Sequence, residues 1–188
     1  AALLADPTAR LITVLGPGGI GKTRLAIEAA SGQWERFPHG VTFVALATVE
    51  TASAIIPLIA ETLNFTFYAE GTPRQQLGDY LRHKTMLLVL DNFEQLLGAP
   101  HRLELCNPDE PNGVALLVDL LQAAPQIKIL VTSRVRLNVQ GEQLYPLTGV
   151  DFPQDDQATA TTISQSSAVD LFVQSARRVQ PAFALTHE

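Results

Sequence analysis

Apolar residues in this chain cluster in short runs rich in β-branched side chains. Between them lie longer stretches whose apolar positions recur every three or four residues. Such alternation predicts βαβ units around a parallel sheet. Strands are expected at Leu11–Leu15, Val41–Leu46, Met86–Leu90 and Ile127–Thr132, with a weak fifth near Gln143–Tyr145. A helix should run from about Gly21 to Ser31 and stop at Gly32. A second should cover Ala52–Leu63, interrupted or bent near Pro57. Thr72-Pro73 is a helix start with Gln75–Arg82 as its body, followed by a short helix at Phe93–Leu97 and a longer one at Val114–Ala123. Gly98–Gly113 holds three prolines and reads as a long loop.

The ends of the chain read differently. Ala1-Ala2-Leu3-Leu4-Ala5 resembles the last turn of a helix, and no initiator Met precedes it. After Pro146 the composition shifts to Asp, Gln and Thr, which predicts a linker at 149–163. A final helix at Ser166–Val179 would carry Ala168, Leu171, Phe172, Ser175 and Ala176 on one face. No partner for that face is evident in the pattern. The expected organisation is therefore one α/β domain over 1–148, a linker, and at 164–188 the first helix of a truncated helical domain.

Composition narrows the classes. The chain has 188 residues, 46% of them hydrophobic and 17% charged, as expected for a well-buried core. A net charge of −6 without a dense Lys/Arg cluster argues against direct nucleic-acid binding by this segment. Cys106 is the only cysteine, so no intrachain disulfide can form, and no Cys/His cluster suggests zinc. The longest purely apolar runs span about five residues, far short of a bilayer-crossing helix, and no signal peptide is visible. No membrane partner is expected, and the cytoplasm is the expected compartment.

Chemistry enters at Leu11-Ile12-Thr13-Val14-Leu15-Gly16-Pro17-Gly18-Gly19-Ile20-Gly21-Lys22-Thr23, a strand running into G-x-x-x-x-G-K-T. This is the phosphate-binding loop of nucleoside triphosphatases. Its glycines let successive N–H groups turn inward towards phosphate oxygens. Lys22 would place a charge near the β- and γ-phosphates, and Thr23 would offer its hydroxyl to Mg²⁺. The following helix points its positive end at the same anion. Gly16, Pro17, Gly18, Gly19, Ile20, Gly21, Lys22, Thr23 and the adjoining Arg24 are thus candidate nucleotide contacts, with ATP or ADP and Mg²⁺ as ligands.

Two further strand ends carry polar groups. Met86-Leu87-Leu88-Val89-Leu90 closes with Asp91, a candidate Mg²⁺-associated carboxylate beside the loop. Asn92 could orient water but cannot accept its proton. Glu94 is the nearby carboxylate that could, or it is a helix-start acid favourable to the dipole. Ile127-Lys128-Ile129-Leu130-Val131 exits into Thr132-Ser133-Arg134, where hydroxyls and a guanidinium could meet the γ-phosphate, or where Arg134 merely caps a turn in solvent.

The three elements in this order, followed by Gly141-Glu142-Gln143-Leu144-Tyr145-Pro146-Leu147, resemble the STAND class of signal-transduction ATPases. Within that class the chain looks most like the ATPase core of bacterial LuxR- and SARP-type regulators, relatives of the NB-ARC ATPases of plant immune receptors and animal apoptosome proteins. The likeness extends to Gly40–Leu46 and Ala168–Phe172. It implies a P-loop NTPase three-layer sandwich, a parallel sheet of order 5-1-4-3-2 with helices on both faces. That order inserts the fourth strand between the loop strand and the Asp91 strand. It also implies that Arg134, matching the Arg of the family's T-T/S-R motif, senses the γ-phosphate. Many relatives carry a second Asp where this chain has Asn92, which implies slow hydrolysis. Their adenine-holding G-R-E segment would precede residue 1, and their G-L-P-L segment and winged-helix domain would follow residue 188. The Gly98–Gly113 loop is longer than usual for the class.

Three functions fit these features. The first is an ATP/ADP-dependent switch with weak ATPase activity, acting on other domains of a parent protein and on self-association. The second is a nucleotide-stabilised scaffold without turnover. The third, a small-molecule kinase, lacks its usual Arg-rich lid, since Arg177-Arg178 lies on the terminal helix instead.

Overall fold

The computed structural model describes residues 2–97 and 112–149, together with 169, 172–173, 176–177, 179–180 and 182–184. The expected 98–113 loop (apart from Asn112 and Gly113) and Cys106 lie outside these residues, as does nearly all of the 149–163 linker. The chain divides into two compact units, Ala1–Leu147 and Thr148–Glu188.

The first unit is built on five parallel strands: β1 (Leu11–Leu15), β2 (Val41–Ala45), β3 (Leu87–Asp91), β4 (Lys128–Ser133) and β5 (Glu142–Pro146). They lie in the order β2-β3-β4-β1-β5, which read from the other edge is the expected 5-1-4-3-2. Helices α1 (Ala2–Ala5), α2 (Lys22–Ser31), α3 (Ile55–Thr62), α4 (Pro73–Leu81) and α5 (Gly113–Ala123) complete the unit. Because successive strand residues face opposite sides, the sheet feeds two cores. Leu11, Val44, Leu88, Leu90, Ile129 and Val131 pack with side chains of α3, α4 and α5. Ile12, Val14, Leu87, Val89 and Leu130 pack with Leu4 of α1, Ala26 and Ala30 of α2, and Phe37. Burial on both faces is why β3 and β4 read as unbroken apolar runs.

Boundaries differ from expectation in instructive ways. Both β3 and β4 extend one residue further, so Asp91 pairs across the ladder with Ala45, and Ser133 with Leu15. The sheet thus carries these polar groups rigidly at its carboxyl edge. The Ala52–Leu63 stretch is interrupted, but between Ala54 and Ile55 and not at Pro57. A 3₁₀ turn at Ala52–Ala54 precedes α3, and Pro57 falls in the first turn of α3, where a missing N–H costs no helical bond. Gly32 does cap α2, but with φ of −86°, so no left-handed stop is used. Thr72 and Gln75 form a full capping box with Pro73 at the first position of α4. The helix expected at Phe93–Leu97 is a 3₁₀ turn, Phe93–Leu96.

In the second unit, Val169, Phe172, Val173, Ala176, Arg177 and Val179 are helical. The chain folds back there, with Phe172 edge-on to Phe183 at 5.8 Å and Arg177 Nε donating to the Phe183 carbonyl at 3.1 Å. No helix among the described residues is long and apolar enough to cross a membrane.

Two polar groups at and just before β1 lead to opposite predictions. Arg10 donates to the carbonyls of Leu121, Ala124 and Ile127 at 2.7, 2.7 and 3.4 Å, closing the C-terminal end of α5. Arg10→Met should lower stability by about 2 kcal/mol in denaturant unfolding. Thr13 is fully buried in β1 and its hydroxyl meets no partner among the described residues. Thr13→Val should therefore raise the melting temperature by about 2–4 °C, measured by thermal denaturation.

Candidate functional site

The site lies where β1, β3 and β4 end together. The registers that put Leu15 opposite Ser133 and Ala45 opposite Asp91 fix this edge. Gly16 N–H donates to the Ser133 carbonyl at 3.2 Å and ties the start of the loop to β4. Gly19 and Gly21 hold φ of 79° and 95°, a left-handed backbone that glycine adopts without strain. Gly18 contributes differently, by giving the Arg134 side chain room to lie against the loop. A side chain there would come within 3.3 Å of the Arg134 guanidinium.

Helix α2 then begins at Lys22 with Gly21 as its N-cap. No side chain caps it, and its first turn contains no acid. Its leading N–H groups are left for an anion. Lys22 is only 9% exposed, and its ammonium folds back to the Pro17 carbonyl at 2.9 Å. Among the described residues no carboxylate pairs with it. Thr23 donates its hydroxyl to Asp91 Oδ1 at 2.8 Å, and Arg24 is exposed on α2.

Asp91 is 6% exposed, and its Oδ1 accepts a second hydroxyl, that of Thr132, at 2.5 Å. Thr132 Oγ1 in turn accepts the Asn92 N–H at 3.0 Å. Asn92 sits at φ 64°, a left-handed conformation that Asn tolerates better than most residues, so local geometry already accounts for an amide residue here. One turn on, Glu94 Oε1 pairs with Arg134 Nε at 3.0 Å, with side-chain exposures of 13% and 60% respectively. Ser133 spends its hydroxyl on Val135, donating to the carbonyl at 2.7 Å and accepting the N–H at 3.2 Å. Thus Thr23, Asp91, Asn92 and Thr132 share one hydrogen-bonded cluster, and Glu94 and Arg134 form a pair beside Gly18. The hydroxyl of Ser133 and the side chain of Arg24 stand apart from both.

Sequence reading missed the Glu94–Arg134 pair and the bridging role of Thr132. The signal was present in the strand order. Placing β4 beside β3 brings opposite charges just beyond Asp91 and Ser133 to neighbouring exits.

The donor set suits a phosphate chain with a hard cation. It offers uncapped amides, an ammonium held by one carbonyl, and oxygen ligands from Thr23 and Asp91. No group of three or more His, Cys, Asp or Glu among the described residues could hold a metal alone. A cation at Asp91 would therefore draw further ligands from phosphate and water.

Sheet order, glycine turn and strand-end aspartate together define a P-loop NTPase fold. Solved structures agree. Cdc6p of Pyrobaculum aerophilum superposes with a TM-score of 0.50 at 19% identity, covering 78% of this chain and 42% of that one. The Drosophila origin recognition complex bound to DNA gives 0.50 at 15% identity, covering 78% and 40%. In sequence the chain is similar to Rv0890c of Mycobacterium tuberculosis, whose name makes it a candidate HTH-type transcriptional regulator. The two are 33% identical over 186 residues, which is 99% of this chain and 18% of that protein. The chain thus spans under a fifth of that relative. No protein-family model matches it.

Thr132 offers a test of the cluster. Thr132→Val removes a donor from Asp91 and an acceptor from Asn92, and should cost about 2 kcal/mol in urea unfolding. Thr132→Ser keeps the hydroxyl and should lose less than half of that.

Proposed function

We propose that this chain is the ATP/ADP-binding switch core of a larger regulatory protein, with slow Mg²⁺-dependent hydrolysis. The observation that carries this reading is Lys22. The ammonium of a lysine only 9% exposed, inside a glycine turn, with a carbonyl as partner and no carboxylate among the described residues, has donors that an anion would satisfy. Gly18–Thr23 would cradle phosphate through backbone N–H groups, with Lys22 against the outer phosphates. Asp91 and Thr23 would hold Mg²⁺, which would supply charge neutralisation to the phosphates. Arg134 lies beside Gly18 and would sense a third phosphate.

Slow turnover follows from the candidate water-activating groups. Asn92 has no basic atom for a proton, and Glu94 is tied to a guanidinium. The same facts favour a second reading, a nucleotide-stabilised scaffold without turnover. The likeness to a candidate transcriptional regulator and the resemblance to STAND ATPases support a regulatory setting. In it, nucleotide state would control contacts with other domains and self-association. With a net charge of −6, this segment would leave nucleic-acid contacts to other parts of the protein.

Isothermal titration with Mg-ATP and with ADP tests the assignment. The parent chain should bind both, and Lys22→Ala should weaken Mg-ATP binding at least about a hundredfold. Equal affinity in Lys22→Ala would overturn it. Phosphate release above the Lys22→Ala background separates the slow ATPase from the scaffold.

A further inference from the structure

We propose that Glu94 stands in for the terminal phosphate. Its carboxylate holds Arg134 at the mouth of the loop, and Arg134 must leave it to engage a triphosphate. This rests on the nucleotide-binding reading above and adds how that site tells triphosphate from diphosphate.

The geometry is specific. Arg134 directly follows β4 and its side chain is 60% exposed, so most of it is free of packing. It is nonetheless anchored at Glu94 Oε1 through Nε, at 3.0 Å, with its guanidinium within 3.3 Å of the space a side chain on Gly18 would fill. Only Nε is engaged. The fork of terminal N–H groups, which suits carboxylate and phosphate oxygens equally, makes no other ion pair or hydrogen bond among the described residues.

Glu94 is the opposite case. Its side chain is 13% exposed, and its Oε2 is buried with no hydrogen-bond partner among the described residues. A half-satisfied carboxylate in that position leans on its single cationic partner. Glu94 sits in the 3₁₀ turn that starts two residues past Asp91, so it is built into the frame of the site. Arg134 is the mobile member of the pair, and Glu94 the fixed one.

Two anions therefore compete for one guanidinium. A diphosphate leaves Arg134 with Glu94. A triphosphate draws Arg134 away only after breaking the pair, so Glu94 lowers the preference for triphosphate. Release also frees Glu94 Oε1 as an acceptor. Glu94 acts here as a positioning residue through Arg134, and its effect is read in a ratio of affinities.

The test is titration calorimetry on the 188-residue chain, using ADP and a nonhydrolysable ATP analogue with Mg²⁺. Glu94→Gln should raise the preference for the triphosphate about threefold to tenfold by strengthening analogue binding alone. Glu94→Asp, which keeps the charge but withdraws it from Arg134, should shift the ratio in the same direction and guards against misfolding of the first variant. Arg134→Ala should bring the two affinities together, and adding Glu94→Gln to it should change nothing further. An unchanged or reduced ratio in both Glu94 variants overturns the proposal, as does a Glu94→Gln effect that persists in the Arg134→Ala background. If the parent binds neither nucleotide, the nucleotide-binding reading falls and the proposal with it. If the parent binds both and the ratios disobey, the proposal alone falls.

Discussion

One buried carboxylate joins the parts of this site. Asp91 Oδ1 receives the hydroxyl of Thr23 from the start of α2 and that of Thr132 from the end of β4, while Asp91 itself closes β3. Three elements distant in sequence are pinned at one atom. Hydrogen bonds to a buried charged group each contribute about 1.5–3 kcal/mol, and the penalty for leaving such a charge unpaired is larger. That constraint explains why β4 must lie between β1 and β3. No other strand order of this sheet would deliver Thr132 to Asp91 and a carbonyl of β4 to Gly16 at once.

The fold was largely legible in the sequence because the sheet is buried on both faces. Strands such as Leu87–Asp91 must then be continuously apolar, and the turn between β1 and α2 must be rich in glycine to reach its left-handed angles. What escaped reading was whatever depends on exact neighbours. The last residue of a strand is set by ladder hydrogen bonds, so Asp91 and Ser133 belonged to strands that apolar pattern alone ended a residue early. The interruption read near Pro57 falls just before it, because Pro57 fits the first turn of α3 once the 3₁₀ turn has set where that helix starts. In the candidate site, the identity of the polar residues was visible and their pairing was not. Glu94 and Arg134 lie 40 positions apart, and only the inserted β4 makes them partners.

Charge is arranged in two tiers at this edge. Lys22 and Asp91 are nearly buried and held by neutral groups, a carbonyl for one and two hydroxyls for the other. Neither is neutralised by an opposite side-chain charge among the described residues, so both keep their full field for a ligand. Glu94 and Arg134, further out, neutralise each other. The edge thus sets an inner pair of charges without opposite side-chain partners beside an outer pair that neutralise each other.

The central claim is that the glycine turn and Asp91 form a nucleotide-phosphate site. A crystal structure of the chain with Mg²⁺ and a nonhydrolysable ATP analogue tests it most directly. The account predicts phosphate oxygens against the backbone N–H groups of Gly18–Thr23, Lys22 Nζ released from the Pro17 carbonyl onto phosphate, and the metal beside Thr23 and Asp91. Density for the analogue elsewhere on the chain, with Lys22 still bonded to Pro17, would contradict it.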